Sequence, residues 1–522
     1  MSTLVSEPGR MLNLLLSFFV FVSLVFLYGY LNDRKLKQLP PEAELVFSPA
    51  RLTPERVRSA AEALSKNPVI MRNFLPPKTG RRYIVVGGAG FLGGWIVLQL
   101  LERGEDPKKI RILDIRPPTR PDLRTGAAQQ VAFLQVDVSD AVAVSEAFKA
   151  PWPEAEGELE VTVFHVAANI RFYERYAALL PLSLKVNYNG TANVINACKD
   201  IGAHTLIYTS SASIFVRCSR FWLWPWEKRP AFFIQLYKDD DNLPNLSYSN
   251  YAVSKVLSEK AVRAADKSPT SRSHTLRTGC IRPGNAVFGP GGDMTCGAYL
   301  VRKHNPTWVP NILQSFIYVE NCALAHLCYE QRLIELERGS SNPDIGGQAF
   351  MVTDAGPPIT YGDLYTALNT LDQETVFPVL SPTLMLGFSH LIEVFHVTKS
   401  LLSTLDSSIA RAVARVIPAV SGDLINLQPT IFTLLSIHLI FDDSRARLPP
   451  AKGGLGYQGP YTTLEGICKT ADVYFKSDKK GEERSLSGGV GFGFWSKKSN
   501  GRSQVGNGAG ERRDINGVTE FN

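Results

Sequence analysis

Tyr83-Ile84-Val85-Val86-Gly87-Gly88-Ala89-Gly90-Phe91-Leu92-Gly93 is the stretch from which the fold of this chain is read. Four apolar residues suit a strand buried on both faces, and the glycines end it abruptly. Glycine at 87, 90 and 93 gives a G-x-x-G-x-x-G spacing. That spacing permits a tight turn, brings backbone N–H groups and a helix N-terminus close to a pyrophosphate, and packs the helix hard on the strand. A glycine string alone is weak evidence, because a purely structural strand-to-helix turn looks the same. Here a second strand candidate, 110–114, ends in Asp114. Its carboxylate is placed to accept hydrogen bonds from ribose hydroxyls and to repel a 2′-phosphate. The expected cofactor is therefore NAD, with NADP left open because Arg116 softens that exclusion.

Working outward, 131–137, 161–166, 205–210 and 275–282 read as further strands separated by helical patterns. Strands of this kind alternating with helices predict an α/β fold with a doubly wound parallel sheet of Rossmann type. We assign the nucleotide-binding domain to 81–290 and a smaller C-terminal substrate-binding lobe to 291–476.

Ahead of that body, 11–31 carries no charge and is long enough to cross a hydrocarbon core as a helix. A cleaved leader is the weaker reading, since the apolar run is too long and Tyr28-Gly29-Tyr30-Leu31-Asn32 is no small-residue cleavage site. Arg34, Lys35 and Lys37 follow the run, so the positive-inside bias puts the bulk of the chain in the cytosol. Residues 1–10 read as a short N-terminal segment and 32–80 as a stalk with a short helix opened by Thr53 and Pro54. The tail, 477–522, is rich in Gly, Ser and Asn and reads as disordered.

The net charge of +7 suits an acidic membrane surface, but the Lys and Arg are dispersed and no nucleic-acid stripe forms. Seven scattered cysteines without a C-x-x-C pair argue against a disulfide framework or a zinc site. Two apolar features remain. Arg220-Phe221-Trp222-Leu223-Trp224-Pro225-Trp226 lies in an insert over 216–236 that either packs on the domain or wedges into a membrane interface. The stretch 378–405 is interrupted by His390, Glu393, His396 and Lys399, and reads as a buried or interfacial helix.

Tyr251-Ala252-Val253-Ser254-Lys255 puts a phenol and an ammonium on one face of a helix. Such a pair usually means nothing. With a dinucleotide turn upstream and Thr209-Ser210-Ser211-Ala212 closing a strand, it becomes a proton-transfer site. A phenol is a poor base at neutral pH unless a cation and a hydroxyl favour its phenolate.

On these strings the chain resembles the extended short-chain dehydrogenases and, within them, the 3β-hydroxysteroid dehydrogenase/isomerase family, over roughly 81–475. Gly87, Gly90, Phe91, Leu92 and Gly93, Asp137-Val138, and Phe164-His165-Val166-Ala167-Ala168 resemble the family's cofactor wall, to which Asp114, Tyr251, Lys255 and Pro283 belong. Val186-Asn187-Tyr188-Asn189-Gly190-Thr191 is similar to the helix whose asparagine, here Asn187, supports a proton relay. Tyr208-Thr209-Ser210-Ser211-Ala212-Ser213 matches the catalytic serine strand, with Ser211 in the better register and Ser210 in reserve. Ile281-Arg282-Pro283-Gly284 and Tyr318-Val319-Glu320-Asn321-Cys322-Ala323-Leu324-Ala325-His326 match two later strings. Phe441-Asp442-Asp443-Ser444-Arg445-Ala446 with Leu455-Gly456-Tyr457 resembles the decarboxylating sterol-4α-carboxylate branch. The chain departs from the family in the length between Ser211 and Tyr251, which the insert occupies, and in its N-terminal apolar run.

The resemblance implies oxidation of a sterol 3β-hydroxyl, with Tyr251 as base, Ser211 orienting the oxygen, Lys255 holding the ribose and lowering the phenol's pKa, and Asn187 behind it. It implies no metal, an endoplasmic reticulum membrane setting with one span, and a homodimer or a complex with other sterol enzymes. A nucleotide-sugar epimerase, a dihydroflavonol-type reductase and a silent NAD-binding scaffold use the same scaffold and stay open.

Overall fold

The computed structural model describes residues 7–153, 160–240, 242–420 and 422–477. Helix α1 (Glu7–Leu36) carries the uncharged run, whose side chains from Met11 to Tyr30 are mostly exposed and include Leu14, Phe18 and Phe26. It is long and apolar enough to cross a membrane.

Among the described residues the central sheet has seven parallel strands, β1 (Arg82–Val86), β2 (Ile110–Asp114), β3 (Ala132–Gln135), β4 (Val161–His165), β5 (Thr205–Thr209), β6 (Thr275–Pro283) and β7 (Ala349–Val352), with the two-residue Ser268–Pro269 added antiparallel to the start of β6. Their spatial order is β3-β2-β1-β4-β5-β6-β7. Every expected strand is present, and the fold is the doubly wound one. Alternate residues feed two cores: Tyr83 and Val85 on one face, Ile84 and Val86 on the other. The strand order reverses at β1, so a crevice opens at the carboxyl edge beside it.

Helices α2 (Phe91–Glu102), α3 (Gly190–Ile201), α4 (Asn250–Ala264) and α5 (Val319–Glu337) cover the sheet. Ile96, Val97 and Leu100 of α2 share a core with Leu324 and Leu327 of α5. Val194 and Cys198 of α3 and Val262 of α4 belong to the core on the other face.

Two boundaries differ from expectation. The division at residue 290 does not follow the sheet, because α5 and β7 lie beyond it in the chain yet complete the nucleotide-binding layer. Ile234–Tyr237, from the insert, leaves that layer and joins a small second sheet with Leu313–Gln314, Ile359–Thr360 and His438–Phe441. Burial decides the first: β7 is apolar throughout and buried, as a strand beside β6 must be.

The C-terminal lobe adds α6 (Pro382–Thr404), α7 (Ser408–Val416) and α8 (Thr463–Lys476). Met385, Leu386 and Ile392 of α6 are buried, while Leu384, Leu391, Val394 and Phe395 are exposed, which is the one-sided burial expected of 378–405. The stalk reading fails. Ala43, Val57 and Met71 are buried, and the Thr53-capped helix Pro54–Lys66 packs on α8. The cause is its own amphipathicity: a helix with an apolar stripe must bury it somewhere, and the body is adjacent. All seven cysteines are free. The tail from 478 lies outside the described residues.

Candidate active site

The singled-out residues meet at the carboxyl edge of the sheet. Gly87 has φ +87°, and a Cβ there would lie 2.6 Å from the Ala167 nitrogen. A Cβ on Gly93 would lie 2.1 Å from the Gly87 carbonyl oxygen, so α2 can dock on the turn only through glycine. Gly90 caps α2 with no side-chain hydrogen bond. The first-turn N–H groups of Phe91 and Leu92 therefore have no intrahelical acceptor, and the positive end of the helix dipole suits a phosphate. Asp114 Oδ2 accepts from the Ala89 N–H at 3.1 Å, which ties the acidic strand end to the glycine turn. Ala167 donates to Val86 O at 3.0 Å, and Ala168 follows it, half-buried. Val138 packs under Gly190, where a Cβ would come within 2.8 Å of its Cγ2. Asp137 closes its own turn by accepting from Ser139 N at 2.8 Å. Pro283 ends β6 opposite Val352. A cradle that added Cβ atoms would fill, beside one acid at a strand tip, fits a dinucleotide.

Ser249 caps α4 through the Ala252 N–H, which sets the start of the helix that carries Tyr251 and Lys255. Tyr251 is buried, with the Ser211 hydroxyl near enough to favour its phenolate. Burial drives the phenol well above its ordinary value, the neighbouring Tyr248 adds to this, and Ser211 opposes it. Ser211 Oγ lies 2.7 Å from Ser213 Oγ, which accepts from the Tyr248 hydroxyl at 3.5 Å. A chain of hydroxyls thus leads away from Tyr251. Tyr248, itself pushed to about 12 by burial, was not anticipated, although it sits three residues ahead of Tyr251.

Lys255 donates from Nζ to Thr209 O at 2.7 Å, and its ammonium is 6.0 Å from the Tyr251 ring centroid. Burial pulls it down to about 7. Thr209 is fixed in turn by His326. The imidazole Nδ1–H donates to Cys322 O at 2.7 Å, so Nε2 accepts from the Thr209 hydroxyl at 2.8 Å. Burial holds His326 near 4, hence neutral. The signal for it was present in the string that ends at His326.

The structure separates the two serines. Ser210 Oγ donates to Glu259 at 2.6 Å, and Glu259 takes Arg282 in a bidentate pair at 2.9 and 2.5 Å. Burial opposes ionisation of Glu259, but Arg282 carries its carboxyl below the usual value. Ser210 is thereby committed to a buried network, and Ser211 is left at the phenol. Asn187, in a π-helical turn over Lys185–Asn189, accepts from Asn169 N at 2.7 Å and donates to Ser254 Oγ at 2.8 Å. Ser254 Oγ donates to Tyr251 O at 2.7 Å. Asn187 therefore braces α4 directly beneath Tyr251.

Residues 84–376 match the 3-beta hydroxysteroid dehydrogenase/isomerase family. An Arabidopsis thaliana protein named 3beta-hydroxysteroid-dehydrogenase/decarboxylase isoform 2 is 26% identical over 415 residues, 76% of this chain and 62% of its own length. The 3 beta-hydroxysteroid dehydrogenase/Delta 5-->4-isomerase of Vaccinia virus (strain Copenhagen) is 30% identical over 55% of this chain and 75% of its own. A decarboxylating sterol-4-alpha-carboxylate 3-dehydrogenase of Schizosaccharomyces pombe is 29% identical over 55% and 73% respectively.

Proposed function

Since the chain belongs to the 3-beta hydroxysteroid dehydrogenase/isomerase family, we propose that it oxidises the 3β-hydroxyl of a membrane-borne sterol, and that the sterol carries a 4α-carboxylate. The observation that carries the reading is Tyr251 with Ser211 and Lys255 at the carboxyl edge of the sheet, beside the glycine turn. Phe91, Leu92, Gly93 and Asp114 would hold NAD, which supplies the hydride acceptor when bound. Asp114 favours NAD over NADP.

Tyr251 takes the hydroxyl proton as the carbinol hydrogen leaves with its electron pair, and Ser211, beside the phenol, orients the substrate oxygen. Lys255, on the phenol's side of α4, would hold the nicotinamide ribose, while Asn187 and Ser254 keep that helix in register. The new 3-ketone lies β to the carboxylate, so carbon dioxide leaves with its bonding pair passing into an enolate that a proton quenches. Further decarboxylation machinery is not required. The chain is anchored by α1 in the endoplasmic reticulum, with the body in the cytosol.

Purified enzyme given a 4α-carboxy-3β-hydroxysterol should form NADH and carbon dioxide in equal amounts. Oxidation of simple 3β-hydroxysteroids alone would replace this reading with dehydrogenase/isomerase activity, which the likeness to the viral protein supports. Absence of turnover on either would leave a nucleotide-binding scaffold.

A further inference from the structure

The aromatic insert does not lie idle on the surface; it grips the inner end of α1. Asn32 is buried, and its Nδ2 donates to Phe221 O at 3.0 Å and to Thr383 Oγ1 at 2.9 Å. The Thr383 N–H reaches Asp33 Oδ1 at 2.9 Å. Lys35 Nζ donates to the carbonyls of Trp224 and Pro225, both at 3.0 Å. Trp222 stacks on Tyr28 at 6.4 Å and donates from Nε1 to His390 at 3.3 Å. Bonds this dense leave α1 and the body no swivel between them.

That fixes where a bilayer would meet the body. Lys35 follows the apolar run at the level of lipid headgroups, so Trp224 and Trp226, stacked on each other at 5.3 Å, stand at that level too. Trp226 is 75% exposed. Helix α6 runs back along α1: Thr383 sits at Asn32, and His390 meets Trp222 beside Tyr28. The exposed Leu391, Val394 and Phe395 therefore come next in the direction of the hydrocarbon. Helix α7 packs on α6 and presents Ile409, Val413 and Val416, the last 84% exposed, in one stripe at helical spacing. Arg411 and Arg415 share that helix, and exposed Lys228 lies in the insert. Apolar stripes flanked by cations and tipped with Trp match a lipid interface rather than a second protein surface.

We propose that the insert, α6 and α7 form a platform seated in the lipid interface around α1, holding the body rigidly against the bilayer from which its apolar substrate is drawn. This rests on the reading of α1 as a membrane span.

The test uses the full chain in nanodiscs made with shallow-brominated phosphatidylcholine. Tryptophan emission should be quenched, and Trp224→Phe with Trp226→Phe should remove most of that quenching. Ile409→Glu with Val416→Glu should raise KM threefold to tenfold for sterol supplied in the bilayer, leaving turnover of detergent-dispersed sterol unchanged. Protein that resists alkaline carbonate yet shows no bromine quenching overturns the platform and leaves the anchor standing. Release by carbonate overturns the anchor itself. Cross-linking of two copies through Val413→Cys would assign α7 to a second chain and also overturn the platform.

Discussion

The glycine turn and the wall built from the insert and α6 are held together in opposite ways. In the turn, Gly93 packs on Gly87 and Asp114 reaches Ala89, backbone against backbone or against one short side chain. The wall depends on side chains from distant parts of the chain: Asn32 on Thr383, and Arg175 on Glu393 at 2.7 Å twice over. A turn of the first kind needs small residues at fixed spacing and so writes itself into the sequence. Contacts of the second kind need only a matching group somewhere else, and leave no local mark.

If the comparison is sound, damage should stay on the side where it is made. The largest effect belongs to Tyr251→Phe. Turnover should fall by about a thousandfold, roughly 4 kcal/mol of barrier, while NAD binding, read by titration of cofactor fluorescence, stays within twofold. Since burial raises that phenol, its basic form grows as protons are withdrawn. Wild-type oxidation should therefore rise with pH through the neutral and alkaline range, while reduction of the ketone, which uses the protonated phenol, should stay flat until the pH approaches the phenol's raised value. A flat pH–rate profile for the chemical step would remove Tyr251 as the base.

Glu259→Gln should cost about 3 kcal/mol of stability, because it leaves the Arg282 cation buried without its anion. A thermal scan reads this as a lowered midpoint, and an unchanged midpoint would mean that the Asp239 carboxylate, 3.7 Å from Arg282, takes over. Asn32→Ala should cost about 2 kcal/mol, confined to the wall. Hydrogen exchange should quicken at 221–224 and at Thr383 while the amides of 87–93 keep their protection. Loosening of the turn as well would show that the two regions are not independent. Asp114→Ala should have the smallest effect, narrowing the preference for NAD over NADP by about tenfold, roughly 1.4 kcal/mol. An unchanged ratio of kcat/KM values would place selectivity at Arg116.

This division also explains what could be read in advance. The strands, the tight glycine turn, the acid at the end of β2 and the shared helix of Tyr251 and Lys255 were legible because each depends on periodicity or fixed local spacing. The commitment of Ser210 to a buried network was not, since it turns on Glu259 reaching back from α4. Nor was the docking of 32–80: a short amphipathic helix announces that it must bury a face, and says nothing of where. Tyr248 and His326 were missed because a buried tyrosine or histidine is ordinary until its partners are known.

Strand β7 carries a consequence for synthesis. It pairs with Cys280–Pro283 of β6 from a position well beyond α4, so during translation that part of the β6 edge stays unpaired until residue 352 has left the ribosome, and only Thr275 and Leu276 are met earlier, by Ser268 and Pro269. By then α1 has long since emerged, and the unfinished sheet would wait with an open, apolar β-edge. Between the emergence of Pro283 and that of Val352, the nascent chain is most exposed to mispairing. Premature stops within that window should yield aggregates in place of a smaller folded nucleotide-binding fragment.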